Sequence, residues 1–150
     1  MNVKKLLQKI IENQRESHMV IILSSNTTVS ISATWTWVTL PLNSIKERTG
    51  LFASSAITSN CIVIPKDGIY RISGQFATQN GAYCGIAVNG SQVGAAGIQA
   101  QSSFASAPIG MTIRKLNSGD KVGLLIEKSG SSNPLVAGNG LTYLLVEKIG

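Results

Sequence analysis

A chain of 150 residues has the length of one ordinary domain, enough to bury a core without metals or cross-links. Only 13% of its residues are charged, while Ser, Thr, Asn and Gly abound and apolar residues come in short runs. That profile excludes a helical bundle and fits many short strands joined by polar turns. The net charge of +6 is thinly spread outside the N-terminal segment, without the clustered basic face and interleaved aromatics of a nucleic-acid binder.

The first predicted element is a helix from Val3 to about Ser17. Val3, Leu6, Leu7, Ile10 and Ile11 form an apolar stripe at helical spacing, with Lys4, Lys5, Lys9 and Glu12 around it. Read as heptads, the seam passes through Val3, Leu6, Ile10, Asn13 and Ser17, so it turns polar after two turns. An isolated helix of this length is marginal in water and must pack on its own domain, on copies of itself or on a partner. Lys4-Lys5 resembles the basic start of a secretion signal, but Gln8, Lys9 and Glu12 interrupt the apolar run that should follow. No stretch approaches a membrane span, so the expectation is a chain made in the cytoplasm, without a signal peptide or membrane insertion. The division expected is residues 1–18 as an amphipathic oligomerisation or attachment helix and 19–150 as a β head.

Beyond Leu23 the pattern becomes that of strands. Thr27–Ser32 alternates, and Trp35–Leu40 is aromatic and β-branched until Pro41 stops it. Asn60–Pro65 is a short strand closed by Lys66-Asp67-Gly68. Ile69–Thr78 then places Ile69 and Arg71 on one face and Tyr70, Ile72 and Phe76 on the other. Asn89-Gly90 between two apolar runs signals a tight hairpin. Ile109–Leu116, the turn Asn117–Asp120, the run from Lys121 to Lys128, the loop Ser129–Gly140 and a last strand from Leu141 complete the series. About eight to ten strands at regular spacing, with no internal helix, predict an all-β fold, an antiparallel jelly-roll sandwich behind a short N-terminal α-helix.

Catalytic signatures are sparse. The sole histidine, His18, falls at the end of the predicted helix, and the seven acidic residues sit mostly at turns or strand ends. Cys61 and Cys84 lack metal-ligand spacing and read as buried thiols, and whether they pair depends on strand adjacency that spacing does not show. Gly94 and Gly97 read as turn and bulge devices, since no phosphate-loop context surrounds them. Asp120 reads as a turn residue before a calcium ligand. Asn26 and Asn89 match the glycosylation pattern by chance in a chain without a secretion signal. No cofactor and no metal are expected, and the chain is read as a non-enzyme.

The order of landmarks from Trp37 onward resembles the globular head of complement component 1q and its tumour-necrosis-factor-like relatives. The matching segments are IPKDGIYRISGQF, with Gly68, Ile69 and Tyr70, then IAVNGSQV, LNSGDKVGLLI from Leu116 to Ile126, and LTYLLV. Together they cover roughly three quarters of the chain in the family's order, although each turn motif alone is common. The resemblance implies a homotrimer around a threefold axis, with Ser73, Gln75, Tyr143 and Leu145 on the strands nearest that axis. The face turned to the axis stays open at this point, since a one-residue slip flips every side chain. A collagen-like stalk, usual in the family, is absent, and Leu6 and Ile10 offer a second oligomer seam on the helix.

A helix followed by such a head also resembles small bacteriophage or prophage structural proteins. The expected function is a trimeric virion component (fibre tip, baseplate or head fibre) that binds a host-surface glycan or decorates the particle. Polar loops carrying Gln99, Gln101, Ser129, Ser131 and Asn133 are the candidate glycan contacts, strengthened by three-fold avidity. Competing readings are a bacterial spore-coat or surface interaction module, or cytokine-like ligand, with the same head, and a glycan-active enzyme with two convergent carboxylates.

Overall fold

A computed structural model describes residues 2–14, 17–98 and 103–150. Helix α1 spans Val3–Gln14, and the Asn2 side chain caps it by accepting the Lys4 N–H at 2.9 Å. It ends before Ser17, where strand β1 (Ser17–Ile22) begins. The Ser17 hydroxyl accepts the Leu51 N–H at 3.0 Å, and the run Met19-Val20-Ile21-Ile22 alternates buried and half-buried. His18 therefore lies in the sheet and not at a helix end. Along α1 the side chains of Val3, Leu6, Leu7 and Ile10 stay open, with Leu6 and Ile10 each 42% exposed. No described helix is long and apolar enough to cross a membrane.

The following strands are β2 (Thr27–Thr28), β3 (Val38–Thr39), β4 (Ser44–Arg48), β5 (Ile57–Thr58), β6 (Cys61–Val63) and β7 (Gly68–Thr78). Then come β8 (Ala82–Val88), β9 (Ser91–Ile98), β10 (Ala105–Leu116), β11 (Lys121–Lys128), β12 (Leu135–Val136) and β13 (Tyr143–Lys148). Eight of these reach five residues or more, and they form the body of the sandwich; the shorter ones extend its edges. One 3-10 turn, Gly50–Phe52, lies where no internal helix was expected, and it supplies buried Phe52 to the core. The strand expected over Trp35–Leu40 shrinks to Val38–Thr39, because Trp35 takes a left-handed backbone (φ 65°) that turns the chain.

Two antiparallel sheets face each other. The seven-stranded sheet runs β2-β12-β7-β13-β1-β4, with β10 along the other edge of β7. The six-stranded sheet runs β5-β6-β11-β8-β9, with β3 sharing an edge of β11. Between them lies one core, to which Met19, Ile21, Tyr70, Ile72, Phe76, Leu144 and Val146 contribute from one side. Ile62, Cys84, Ile86, Val122, Leu124 and Ile126 contribute from the other. Removing these side chains from water drives the two-layer arrangement. Tyr70 resolves its buried hydroxyl by donating to the Lys66 carbonyl at 2.6 Å, and its ring meets Phe52 edge-on.

The two turn motifs read from the sequence fasten one end of the sandwich together. Asn89 (φ 50°) and Gly90 (φ 81°) make the left-handed pair a two-residue hairpin needs. The Asp120 carboxylate accepts from the Asn117 N–H (2.8 Å) and the Asn89 amide (3.0 Å), while the Asn89 side-chain oxygen accepts the Lys121 N–H (2.9 Å). These bonds hold the Asp120 carboxyl below its ordinary pKa, the Asn117 bond foremost.

Candidate functional site

Because the core-facing residues are known, alternation identifies what the seven-stranded sheet turns outward. Register places these outward residues in three cross-strand rows. His18, Glu147, Arg71 and Ile113 form one; Val20, Leu145 and Ser73 the next; Ile22, Tyr143, Gln75 and Pro108 the third. The four sheet residues singled out from sequence thus stand as two directly facing pairs, Ser73 with Leu145 and Gln75 with Tyr143. All four are half-buried within the single chain.

Opposite Ser73, strand β10 bulges, with Gly110 and Met111 set against one residue of β7. The bulge leaves Met111 61% exposed beside Ile113 at 56%, so this edge of the face is strongly apolar. Arg71 and Glu147 cross the middle of the face as an ion pair at 2.5 Å, and Gln75 donates to the Leu141 carbonyl at 3.0 Å. Alternation places Ser73 and Gln75 outward, but neither Met111 nor the Arg71–Glu147 pair was singled out from sequence. The bulge needs the pairing of β10 with β7, and the ion pair needs the register of β13 on β7.

His18 closes the face on the β4 side. Its Nε2 meets Glu47 Oε1 at 2.8 Å and its Nδ1 meets the Thr49 hydroxyl at 3.1 Å, while its own N–H donates to that hydroxyl. The contacts join β1 to β4 and the turn beyond it, a fastening arrangement on an open sheet face. Cys61 and Cys84 are both free and flank β11 on opposite strands. Cys84 points into the core, whereas Cys61 lies beside Gly123 on the outer face, so the two cannot pair. Burial raises both thiols above their ordinary range, although Lys121 partly offsets this at Cys61.

The loop residues separate. Ser129 and Ser131 line an open polar cleft of about 270 Å³ with Asn80, Gly81, Gly130 and Ser132. Asn133 is tied into the head: its side-chain oxygen accepts the Ile31 N–H (3.0 Å) and its main-chain carbonyl accepts from the Asn80 amide (2.7 Å). Gln99 and Gln101 lie outside the described residues. Leu6 and Ile10 sit on α1, which meets the head at the 3-10 turn. Among the described residues no three His, Cys, Asp or Glu side chains converge as metal ligands.

No family model matches the chain, and no curated protein matches it. Solved structures do. The crystal structure of murine APRIL at pH 8.0 superposes with a TM-score of 0.68 at 14% identity, covering 90% of this chain and 100% of that one. The murine APRIL structure at pH 5.0 gives 0.68 at 13% identity with the same coverage. The globular domain of zebrafish complement 1qA protein gives 0.63 at 10% identity, over 90% of this chain and 97% of that one. At such identities the likeness carries the fold alone: the chain is a jelly roll of the complement-1q and tumour-necrosis-factor-like kind.

Proposed function

We propose that this protein is a non-enzymatic head domain that assembles as a homotrimer through the outward face of its seven-stranded sheet. The observation that carries the reading is the apolar face itself. Val20, Ile22, Tyr143, Leu145, Met111 and Ile113, from strands β1, β13 and β10, share one side of a sheet whose other side is already core, with the polar row Arg71, Ser73 and Gln75 of β7 among them. A sheet face of this composition is costly in water and is relieved by a second copy. Two of its central strands are those that the family resemblance assigns to the threefold axis. The non-enzymatic reading is supported by where the acid–base groups are spent: His18, Glu47, Arg71, Glu147 and Asp120 all fasten strands or turns.

In this reading the head is a virion structural or host-attachment component, carried on a helix whose Leu6 and Ile10 face a particle protein or bundle the trimer. The support is the exposure of Val3, Leu6, Leu7 and Ile10 along α1. A cell-surface glycan is the proposed ligand, supported by the polar Ser129–Ser132 cleft and by the avidity that three copies supply. The test is the absolute mass in solution by light scattering behind size exclusion. A stable mass near three times 15.8 kDa is expected, and a monomer at working concentration would sink the proposal. The virion setting predicts neighbouring genes that encode other particle proteins, and their absence would remove it.

A further inference from the structure

The opposite side of the sandwich carries a feature that the sheet-face reading does not use. Trp35 is 70% exposed, and its ring stacks on Tyr83 with centroids 5.9 Å apart and planes inclined by 22°. A bulky aromatic in a left-handed backbone and open to water is unfavourable on both counts, and neither cost is returned to the core. Tyr83 lies flat over Gly97 across β8 and β9; a Cβ there would stand 2.5 Å from the ring. The glycine thus clears the seat on which the stack rests.

Directly opposite Tyr83 in register stands Glu127 of β11, pointing outward because Val122, Leu124 and Ile126 point to the core. On its other side, Trp37 stands one residue before Val38, the partner of Ile126. Glu127 as a residue is only 3% exposed, and among the described residues its carboxylate has no hydrogen bond or ion pair; no fully buried side-chain oxygen is left unpaired, so its carboxylate oxygens reach the surface. Burial pushes its carboxyl above the ordinary glutamate range. A carboxylate that opens beside an aromatic stack and has no protein donor is an acceptor that a ligand hydroxyl can use in place of water. Two residues further along both strands, Gly81 and Ser129 begin the polar cleft, joined by the Ser129 N–H to the Gly81 carbonyl at 3.1 Å.

We infer that Trp35, Tyr83 and Glu127 form a saccharide-binding platform on the outward face of the six-stranded sheet, continuous with the Ser129–Ser132 cleft. A pyranose offers what this surface lacks. Its C–H face lies against the electron-rich face of the exposed indole. Its equatorial hydroxyls donate to the Glu127 carboxylate and reach the serines of the cleft. A cationic ligand fits less well, since the near-parallel rings leave no cage between them and the chain carries a net charge of +6. The inference rests on the glycan part of the proposed function and moves its centre from the loops to the aromatic pair; it is independent of the trimer.

The test is ligand-observed saturation-transfer NMR on the full chain with methyl glycosides of glucose, galactose, mannose and N-acetylglucosamine, alongside choline chloride. Saturation of one glycoside's ring C–H protons is expected. Trp35→Gly suits the left-handed backbone, so it should leave the melting temperature unchanged or raised while weakening binding about tenfold or more. Glu127→Gln should weaken binding with the fold kept, and Tyr83→Phe should keep most of it. Binding unchanged by Trp35→Gly would overturn this placement while leaving a glycan site elsewhere. Choline binding in place of any glycoside would overturn the saccharide assignment. No glycoside response at all would overturn both the platform and the glycan reading, with the light-scattering mass still deciding the trimer.

Discussion

The two outward faces of the sandwich are built from opposite materials. The seven-stranded sheet turns out long apolar side chains from β1, β13 and β10, interrupted by the Arg71–Glu147 ion pair, the His18–Glu47 contact and the polar Ser73 and Gln75 of β7. Strands β8, β9 and β11 turn out glycine and alanine at Gly85, Ala87, Gly97 and Gly123, with Tyr83, Leu125, Glu127 and Lys121 as larger residues among them. A broad apolar face suits a flat, repeated surface such as another copy of the chain. A face rich in small residues, bearing one aromatic stack and one carboxylate without a protein partner, suits a small polar ligand with an apolar side. The fold supplies both by the same alternation, so neither face can be altered in register without disturbing the core behind it.

The largest effect that would break this comparison is a charge at the centre of the apolar face. Leu145→Arg sits between Val20 and Ser73 and should dissociate the trimer, raising the dissociation constant on the order of 100-fold or more. Light scattering measures it, and circular dichroism should show the head still folded, because Leu145 points away from the core. A trimer that survives this substitution places the contact elsewhere.

Next in size is the ion pair. Arg71→Met leaves Glu147 unpaired on a face that assembly buries, with an expected cost of about 3 kcal/mol to association. The double variant Arg71→Met with Glu147→Leu should recover most of that loss. A cycle of sedimentation-equilibrium constants checks it, and equal loss in single and double variants would show that the pair stays wet.

A smaller effect belongs to the turn latch. Asp120→Asn should cost the head about 1 kcal/mol or less in urea unfolding at neutral pH, because the carboxylate is largely solvated. The folded pKa of Asp120 lies below the unfolded one, so its contribution is present above the unfolded pKa. It fades as pH falls through the folded pKa. Wild type and variant should therefore converge in acid, and a gap that persists there would assign the effect to shape instead of charge.

The smallest expected effect comes from removing residues 1–16. The melting temperature of the head should hold within error, since Val3, Leu6, Leu7 and Ile10 of α1 stay exposed and none of its described side chains joins the core. The trimer should persist if the sheet face makes it. Loss of the trimer on truncation, with the head intact, would move the seam to Leu6 and Ile10.

Much of the fold was legible because local chemistry decides it. Asn89-Gly90 requires a left-handed pair, Ile69–Phe76 alternates cleanly, and Asn117–Asp120 closes on its own carboxylate. Where the reading slipped, a distant partner decided. Ser17 leaves the helical stripe because Leu51, far along the chain, donates to its hydroxyl, and β1 then pairs with β13 at the other end of the chain. Trp35 has a strand-forming side chain but a backbone that turns, with its ring seated on Tyr83. Asn133 looked like a free loop amide and instead bonds Ile31 across the chain.

The candidate sites divide in the same way. By itself the sequence determined the class: sparse charge, short alternating runs and glycine turns leave a packed β sandwich as the arrangement that buries the apolar set. It also determined which residues of β7 share a face, since alternation has period two. Only the tertiary structure decided which residues meet across strands: Ser73 with Leu145, Arg71 with Glu147, Tyr83 with Glu127 and, through a turn, Trp35 with Tyr83. Cross-strand register depends on bulges and on pairing between distant segments, and each such choice is made by the whole core at once.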